Sequence, residues 1–180
     1  MGDTRSRIAE TVEAKPGIHF NGIVRTCDLA TGQVQYHLER LRTDDVLVKA
    51  DLYGRSHYFP PEYDEWERNT LSLLRRETTL DVASVILESG PVRPNELVET
   101  LDLARSTLEW HVDHLVEQDV VVKRYTTADP VVLEVTRPED LIALVRKADP
   151  TLLGQMVGRF TRLVDRLLAE QGTQYPNQQP

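Results

Sequence analysis

Apolar positions along this chain change their spacing in a fixed order. From Thr4 to Ala14, Ile8, Ala9 and Val12 share one helix face before Pro16-Gly17 ends the run. Ile18-His19-Phe20 reads as a short extended link. Asn21 to Leu29 then places Ile23, Val24 and Cys27 on one face of a second helix. Only Ala30 to Gly32 separates it from a third, where Val34, Leu38 and Leu41 recur at i, i+4 and i+7, and Gln33, Gln35, Tyr36 and Arg40 point elsewhere. After Asp44-Asp45 the period drops to two: Val46 and Val48 alternate with Leu47 and Lys49. A Tyr53-Gly54-Arg55 turn leads into a second extended run at His57-Tyr58-Phe59, and Pro60-Pro61 cannot continue a ladder.

Two short helices joined by a tight turn and closed by a hairpin predict a winged helix-turn-helix over residues 1–61. The wording also resembles archaeal winged-helix transcription regulators. Their V-x-Y-H-L-x-x-L recognition helix is matched by Val34-Gln35-Tyr36-His37-Leu38-Glu39-Arg40-Leu41, and their G-R-x-x-Y-F wing by Gly54-Arg55-Ser56-His57-Tyr58-Phe59. The resemblance implies a regulator that binds duplex DNA.

The pattern then starts again. Residues 62–77 keep helical spacing at Tyr63, Trp66, Thr70, Leu73 and Leu74 and read as a connecting helix. Thr78 or Thr79 can cap a further helix running to Glu88, which Gly90-Pro91 stops. A shift of 74 positions lays Ile8 over Val82 and Lys49 over Lys123 without a gap, and thirteen of the forty-two pairs are identical. Chance would give about two or three. The chain therefore reads as two tandem winged helix-turn-helix domains, mainly α with small β-hairpin wings, the second over 78–137. In that copy the helix from Arg105 to Gln118 turns Glu109, Asp113, Glu117 and His114 outward, and the wing Thr126-Thr127-Ala128-Asp129-Pro130 has no arginine. Carboxylates repel phosphates, so this copy reads as degenerate, suited to protein contacts or regulation. Residues 138–170 predict a short helix and a long C-terminal one. On the latter, Leu153, Met156, Val157, Phe160, Leu163, Val164 and Leu167 form a stripe wide enough for a dimer seam, with intrachain packing as the alternative. Residues 171–180 are polar and read as disordered.

Composition alters this picture in two ways. The net charge of -8 is the wrong sign for a nucleic-acid binder, yet residues 1–60 hold eight basic and eight acidic side chains, so the excess lies downstream. Only Lys15, Lys49, Lys123 and Lys147 are lysines. An acidic, lysine-poor chain suits a cytoplasm of molar salt, where the Debye length is about 3 Å and only close contacts to DNA count, with an ordinary acidic protein as the alternative; together with the resemblance this implies a haloarchaeal regulator. One cysteine excludes an internal disulfide, and no apolar run spans a bilayer or forms a signal-peptide core. The expected location is cytoplasmic, at the nucleoid. A myristoylation-like Met1-Gly2-Asp3-Thr4-Arg5-Ser6 is too short and common a pattern to change this.

The candidate chemistry follows from the first copy. Amide side chains suit adenine in the major groove, which makes Gln33 and Gln35 base readers with Thr31 and Tyr36 beside them. Arg40 and Arg42 lie where phosphate contacts fall, and Arg55 at the wing tip, helped by His57, reaches phosphate or a narrow minor groove. His37 and His111 recur at one repeat position beside apolar residues, which fits packing rather than metal binding, and Cys27 sits on an apolar face. No phosphate loop, nucleophile elbow or H-E-x-x-H is present, so neither catalysis nor a cofactor is expected. The reading is a homodimeric, double-stranded-DNA-binding transcriptional regulator. Two alternatives stay open: a tandem winged-helix scaffold for protein partners, and a regulator switched by a ligand or by oxidation of Cys27.

Overall fold

A computed structural model describes residues 2–125 and 131–158. Helix α1 (Gly2–Ala14) is followed by β1 (Ile18–His19), α2 (Phe20–Cys27), α3 (Thr31–Thr43), β2 (Val48–Leu52), β3 (Arg55–Phe59) and α4 (Glu65–Leu74). The apolar faces read from the sequence meet in one core: Ile8 and Val12 from α1, Ile23 and Cys27 from α2, Val34, Leu38 and Leu41 from α3, closed by Leu47 and Tyr58. Burying each such aliphatic side chain is worth about 1.5–3 kcal/mol, which is what commits these short helices to form.

The wing belongs to a three-stranded sheet ordered β1-β3-β2. Ile18 pairs with Tyr58 and His19 with His57 on one side of β3, while Val48 to Leu52 pair with Phe59 to Arg55 on the other. The link expected at Ile18-His19 is thus a strand, and β3 is central rather than half of a free hairpin. Gly17 makes the entry possible: its φ is +81°, and a Cβ there would lie 3.1 Å from the Phe59 ring.

Helix α4 opens on a capping box, in which Glu67 N–H donates to Asp64 Oδ1 at 2.8 Å and Asp64 N–H to Glu67 Oε2 at 2.9 Å. The chain continues through α5 (Glu77–Ser89), α6 (Pro94–Leu101), α7 (Arg105–Glu117), β4 (Val121–Arg124) and β5 (Val132–Val135). Helix α5 begins at Glu77, so neither Thr78 nor Thr79 caps it. Thr79 lies inside the helix, buried, with Oγ1 2.7 Å from His111 Nδ1. Val120, Val121, Leu133 and Val135 join Val82, Ile86, Leu97, Leu108, Val112 and Leu115 among the buried side chains here. Val92 bridges Leu133 as Ile18 pairs with Tyr58, which again sets a third segment beside the hairpin.

The backbone repeats at the same shift of 74. Asp28 and Asp102 end α2 and α6 at φ +47° and +51°, and Asp45 and Asp119 both sit at +55°. Asp and Asn are the non-glycine residues that tolerate this left-handed region best, so the aspartates shared by the two copies hold equivalent turns.

Contacts divide the chain into two units: Met1–Arg76 with Asp140–Pro150, and Glu77–Glu139 with the chain from Thr151. Helix α8 (Pro138–Ala148) thus returns, from Asp140 onward, to the first unit. Leu144 and Ala148 join Phe59, Tyr63 and Leu71 in a second core cluster flanked by Ala50 and Trp66. Lys147 Nζ lies 3.1 Å from Glu67 Oε1 and 4.2 Å from the centroid of the Tyr63 ring. A buried ion pair closes the unit, with Arg75 Nη1 donating to Asp149 Oδ2 at 2.7 Å and Arg75 Nη2 to the Pro16 carbonyl at 2.8 Å. Residues 150–158 are helical. Leu152 and Met156 are buried, Leu153 is half-buried and Val157 is exposed. The rest of the expected C-terminal stripe (Phe160, Leu163, Val164 and Leu167), the wing at 126–130 and the tail at 171–180 lie outside the described residues.

Candidate nucleic-acid interface

The turn between α2 and α3 is built by Asp28, whose left-handed conformation ends α2, and by Leu29, whose N–H donates to the Val24 carbonyl at 3.3 Å. Ala30 stays extended at φ -63°, ψ 140°, and α3 starts at the next residue. With Val34, Leu38 and Leu41 fixed in the core, the helical period turns Thr31, Gln33, Gln35, Tyr36 and Arg40 to solvent. Tyr36 is 57% exposed, and the Arg40 guanidinium stands 5.6 Å from the centroid of its ring. Gln33 Oε1 accepts from the Ala30 N–H at 3.4 Å, so its carbonyl end serves the start of the helix. Arg42 is exposed but paired with Glu39 at 2.9 Å.

The wing tip turns at Tyr53 (φ +47°) and Gly54 (φ +77°), two successive positive φ values as in a type I′ hairpin loop. Arg55 follows, exposed. Two side chains brace the loop: Arg76 Nη2 donates to the Tyr53 carbonyl at 2.8 Å and to the Leu52 carbonyl at 3.2 Å, and Ser56 Oγ donates to Asp51 Oδ1 at 2.5 Å. Lys49 pairs with Asp51 at 2.8 Å, and this pairing with the Ser56 bond holds the Asp51 carboxyl below its ordinary range.

His57, expected to help Arg55, is instead wholly buried, with Nδ1 2.7 Å from the Gly17 carbonyl and Nε2 without a partner. Burial lowers its pKa to about 4, the Gly17 bond opposing and His19, Arg76 and Arg55 adding to the shift. It is a neutral core residue and does not reach the surface.

Three residues outside the expected set complete this face. His19 caps α2, accepting the Gly22 N–H at Nδ1 over 3.1 Å, and its pKa is lowered by burial and then by Arg55 and Arg25. With Asn21, Arg25 and Arg55 it lines a polar cavity of about 530 Å³ where the start of α2 meets the wing tip. Asn21 is identical in both repeats, a signal open to sequence reading; Arg25 needed the exposed face of α2.

Charge pairing separates the two units. Arg25, Arg40 and Arg55 have no carboxylate partner among the described residues, whereas every cation of residues 77–139 has one. These are Arg93 with Glu96, Arg105 with Glu109, Lys123 with Asp113, Arg124 with Glu134, and Arg137 with Asp119. That stretch holds thirteen acidic and five basic side chains, which accounts for the chain's negative charge.

His37 and His111 do not gather metal ligands; no group of three His, Cys, Asp or Glu among the described residues could hold an ion. Cys27 is buried, its Sγ 3.3 Å from Thr11 Oγ1. Among the described residues no helix is long and apolar enough to cross a membrane.

Residues 2–71, from α1 into α4, match a family model described as an N-terminal HTH domain. No curated protein matches the chain. The first unit therefore carries a helix-turn-helix domain of the kind found in DNA-binding regulators, within a mainly helical fold with small antiparallel sheets.

Proposed function

We propose that the protein is a sequence-specific transcriptional regulator that places α3 of the first unit in the major groove of duplex DNA and acts as a dimer. The observation that carries this reading is the charge pairing: Arg25, Arg40 and Arg55 are held on one unit without carboxylates, although the chain as a whole is acidic. Unpaired cations on an acidic protein keep full value for an external anion, because no internal pair has to be broken. Gln35, exposed at the middle of the α3 face, and Thr31 at its start would read base edges, with Gln33 and Tyr36 beside them. Arg40 would take phosphate directly, and Arg42 after releasing Glu39. Arg25, Asn21 and Arg55 would hold a backbone phosphate at the corner between α2 and the wing.

In this reading the second unit is a degenerate copy of the first that does not touch DNA. Its net acidity, and Trp110 and Tyr125 exposed at 40% and 76%, favour a protein partner on that unit, which would be compatible with DNA binding through the first. Dimerisation would run through the C-terminal helix, with Val157, Leu153 and the stripe beyond it as the seam, and two recognition helices would then meet half-sites one or more DNA turns apart.

The test is selection and sequencing of duplex DNA retained by the purified protein over a salt series reaching molar KCl. A palindromic or direct-repeat site surviving high salt is expected. Gln35→Ala should relax preference at one position of each half-site by about 1–3 kcal/mol. Folded protein that retains no duplex at any salt would overturn the reading.

A further inference from the structure

Each repeat has a cavity at the start of its second helix, with opposite linings, and the one in the second repeat also runs along α7. In the first unit it is polar, walled by His19, Asn21, Arg25 and Arg55. In the second it is a cavity of about 420 Å³ whose floor is aliphatic: Leu108 and Val112 from α7, Val131 and Leu133 from the hairpin. Exposed Tyr125 flanks it. Three cations stand in its wall, Arg93, Arg105 and Lys123, against one carboxylate, Glu109. The carboxylates that pair with Arg93 and Lys123, Glu96 and Asp113, are not part of that wall.

Arg105 is the informative group. Its Nε donates to Glu109 Oε1 at 3.1 Å and its Nη1 to Asn95 Oδ1 at 3.3 Å, while its Nη2 donates to no described residue. Both members of the Arg105–Glu109 pair are more than half exposed, and ion pairs of this kind are weak and exchange readily. A guanidinium with an open donor edge above an aliphatic floor matches a ligand with one carboxylate and an apolar body. The body would take water off Tyr125, Val131 and Pro94 above the buried Leu108, Val112 and Leu133, and the carboxylate would accept from Nη2 and displace Glu109. We propose that this cavity is a binding site for a small monocarboxylic acid with an aliphatic or aromatic body. The site uses no residue of the DNA-reading face, so the proposal stands or falls independently of DNA binding.

The experiment titrates hydrocinnamate, and separately its uncharged amide, into the full chain and follows backbone amide NMR shifts. Saturable shifts centred on Leu108, Val112 and Leu133 are expected, with the amide binding about tenfold more weakly. Arg105→Gln should raise Kd about tenfold. Glu109→Gln should lower it about threefold, because it frees the guanidinium. Both side chains are exposed on α7, away from its buried Leu108, Val112 and Leu115, so the variants keep the helix and its core. No saturation by about 10 mM, shifts away from the cavity, or equal binding of the amide would each overturn the proposal. So would weaker binding by Glu109→Gln, which would mean that the carboxylate holds a ligand cation.

Discussion

Replacing Arg55 by alanine should change how DNA affinity depends on salt more than it changes the protein. The side chain is exposed at the wing tip and meets no carboxylate among the described residues. The loop it follows is held independently by Arg76 on the Leu52 and Tyr53 carbonyls. On B-DNA each phosphate neutralised contributes about 0.9 to the slope of log K against log salt. Counting the three unpaired arginines per protomer, Arg25, Arg40 and Arg55, and leaving out Arg42, which must first release Glu39, gives a slope of about -2.7, so a tenfold rise in salt weakens binding about 500-fold. Without Arg55 the slope falls to about -1.8 and the same rise costs about 60-fold. Fluorescence anisotropy on a labelled duplex over a tenfold range of KCl would measure both slopes per protomer. Arg105→Ala in the second unit, which in the proposed reading does not touch DNA, should leave the slope unchanged. An equal slope for wild type and Arg55→Ala would refute the placement of the wing on the backbone. An equal drop in both variants would mean that both units touch phosphate.

Asp149→Ala leaves the largely buried Arg75 with only the Pro16 carbonyl, and urea denaturation should show a loss of up to about 3 kcal/mol; a loss near zero would mean that water reaches the guanidinium. His57 is neutral in the fold, with a pKa of about 4 against 6.5 unfolded, so its contribution is complete above pH 6.5 and is lost as pH falls toward 4. That amounts to about 3 kcal/mol, and His57→Gln should remove this part of the acid sensitivity in denaturation curves taken at several pH values. Val157→Glu should convert a dimer to monomers by light scattering without unfolding the chain, since Val157 is 51% exposed; an unchanged mass would take that position out of the seam.

The helices of the first unit were legible because each buries one continuous stripe, and periodicity reports such stripes directly. The recognition helix is the clearest case, with Val34, Leu38 and Leu41 inward and its polar residues outward as spaced. The wing was legible only as a hairpin. Period two assigns alternate residues to solvent, yet His57, Tyr58 and Phe59 are all buried. The reason is that β3 is central and covered on both faces, Tyr58 lying in the cluster of α1 to α3 and Phe59 in that of α4 and α8. The sequence announced a short helix at α8 but not where it packs, because its partners are some eighty residues away; that distance hid the role of Arg75. At α5, Thr79 looked like a cap because threonine favours that position, but its hydroxyl is used by His111, a contact between helices that spacing along one helix does not encode.

Because α8 completes the first unit, that unit is interrupted in sequence by Glu77–Glu139 of the second. On the ribosome, the stretch through Arg76 emerges while Leu144, Ala148 and Asp149 have still to be made. At about 5–20 residues per second the wait is about 4 to 15 seconds. During that interval the faces of Phe59, Tyr63 and Leu71 that α8 will cover remain open, and Arg75 has only the Pro16 carbonyl. Residues 77–139 emerge in the meantime, but their unit also includes buried Leu152 and Met156, which follow later still. Each unit thus waits for a late segment, the first for Asp140–Pro150 and the second for the chain from Thr151, and a nascent chain stalled before Asp140 would carry α3 on an unfinished scaffold.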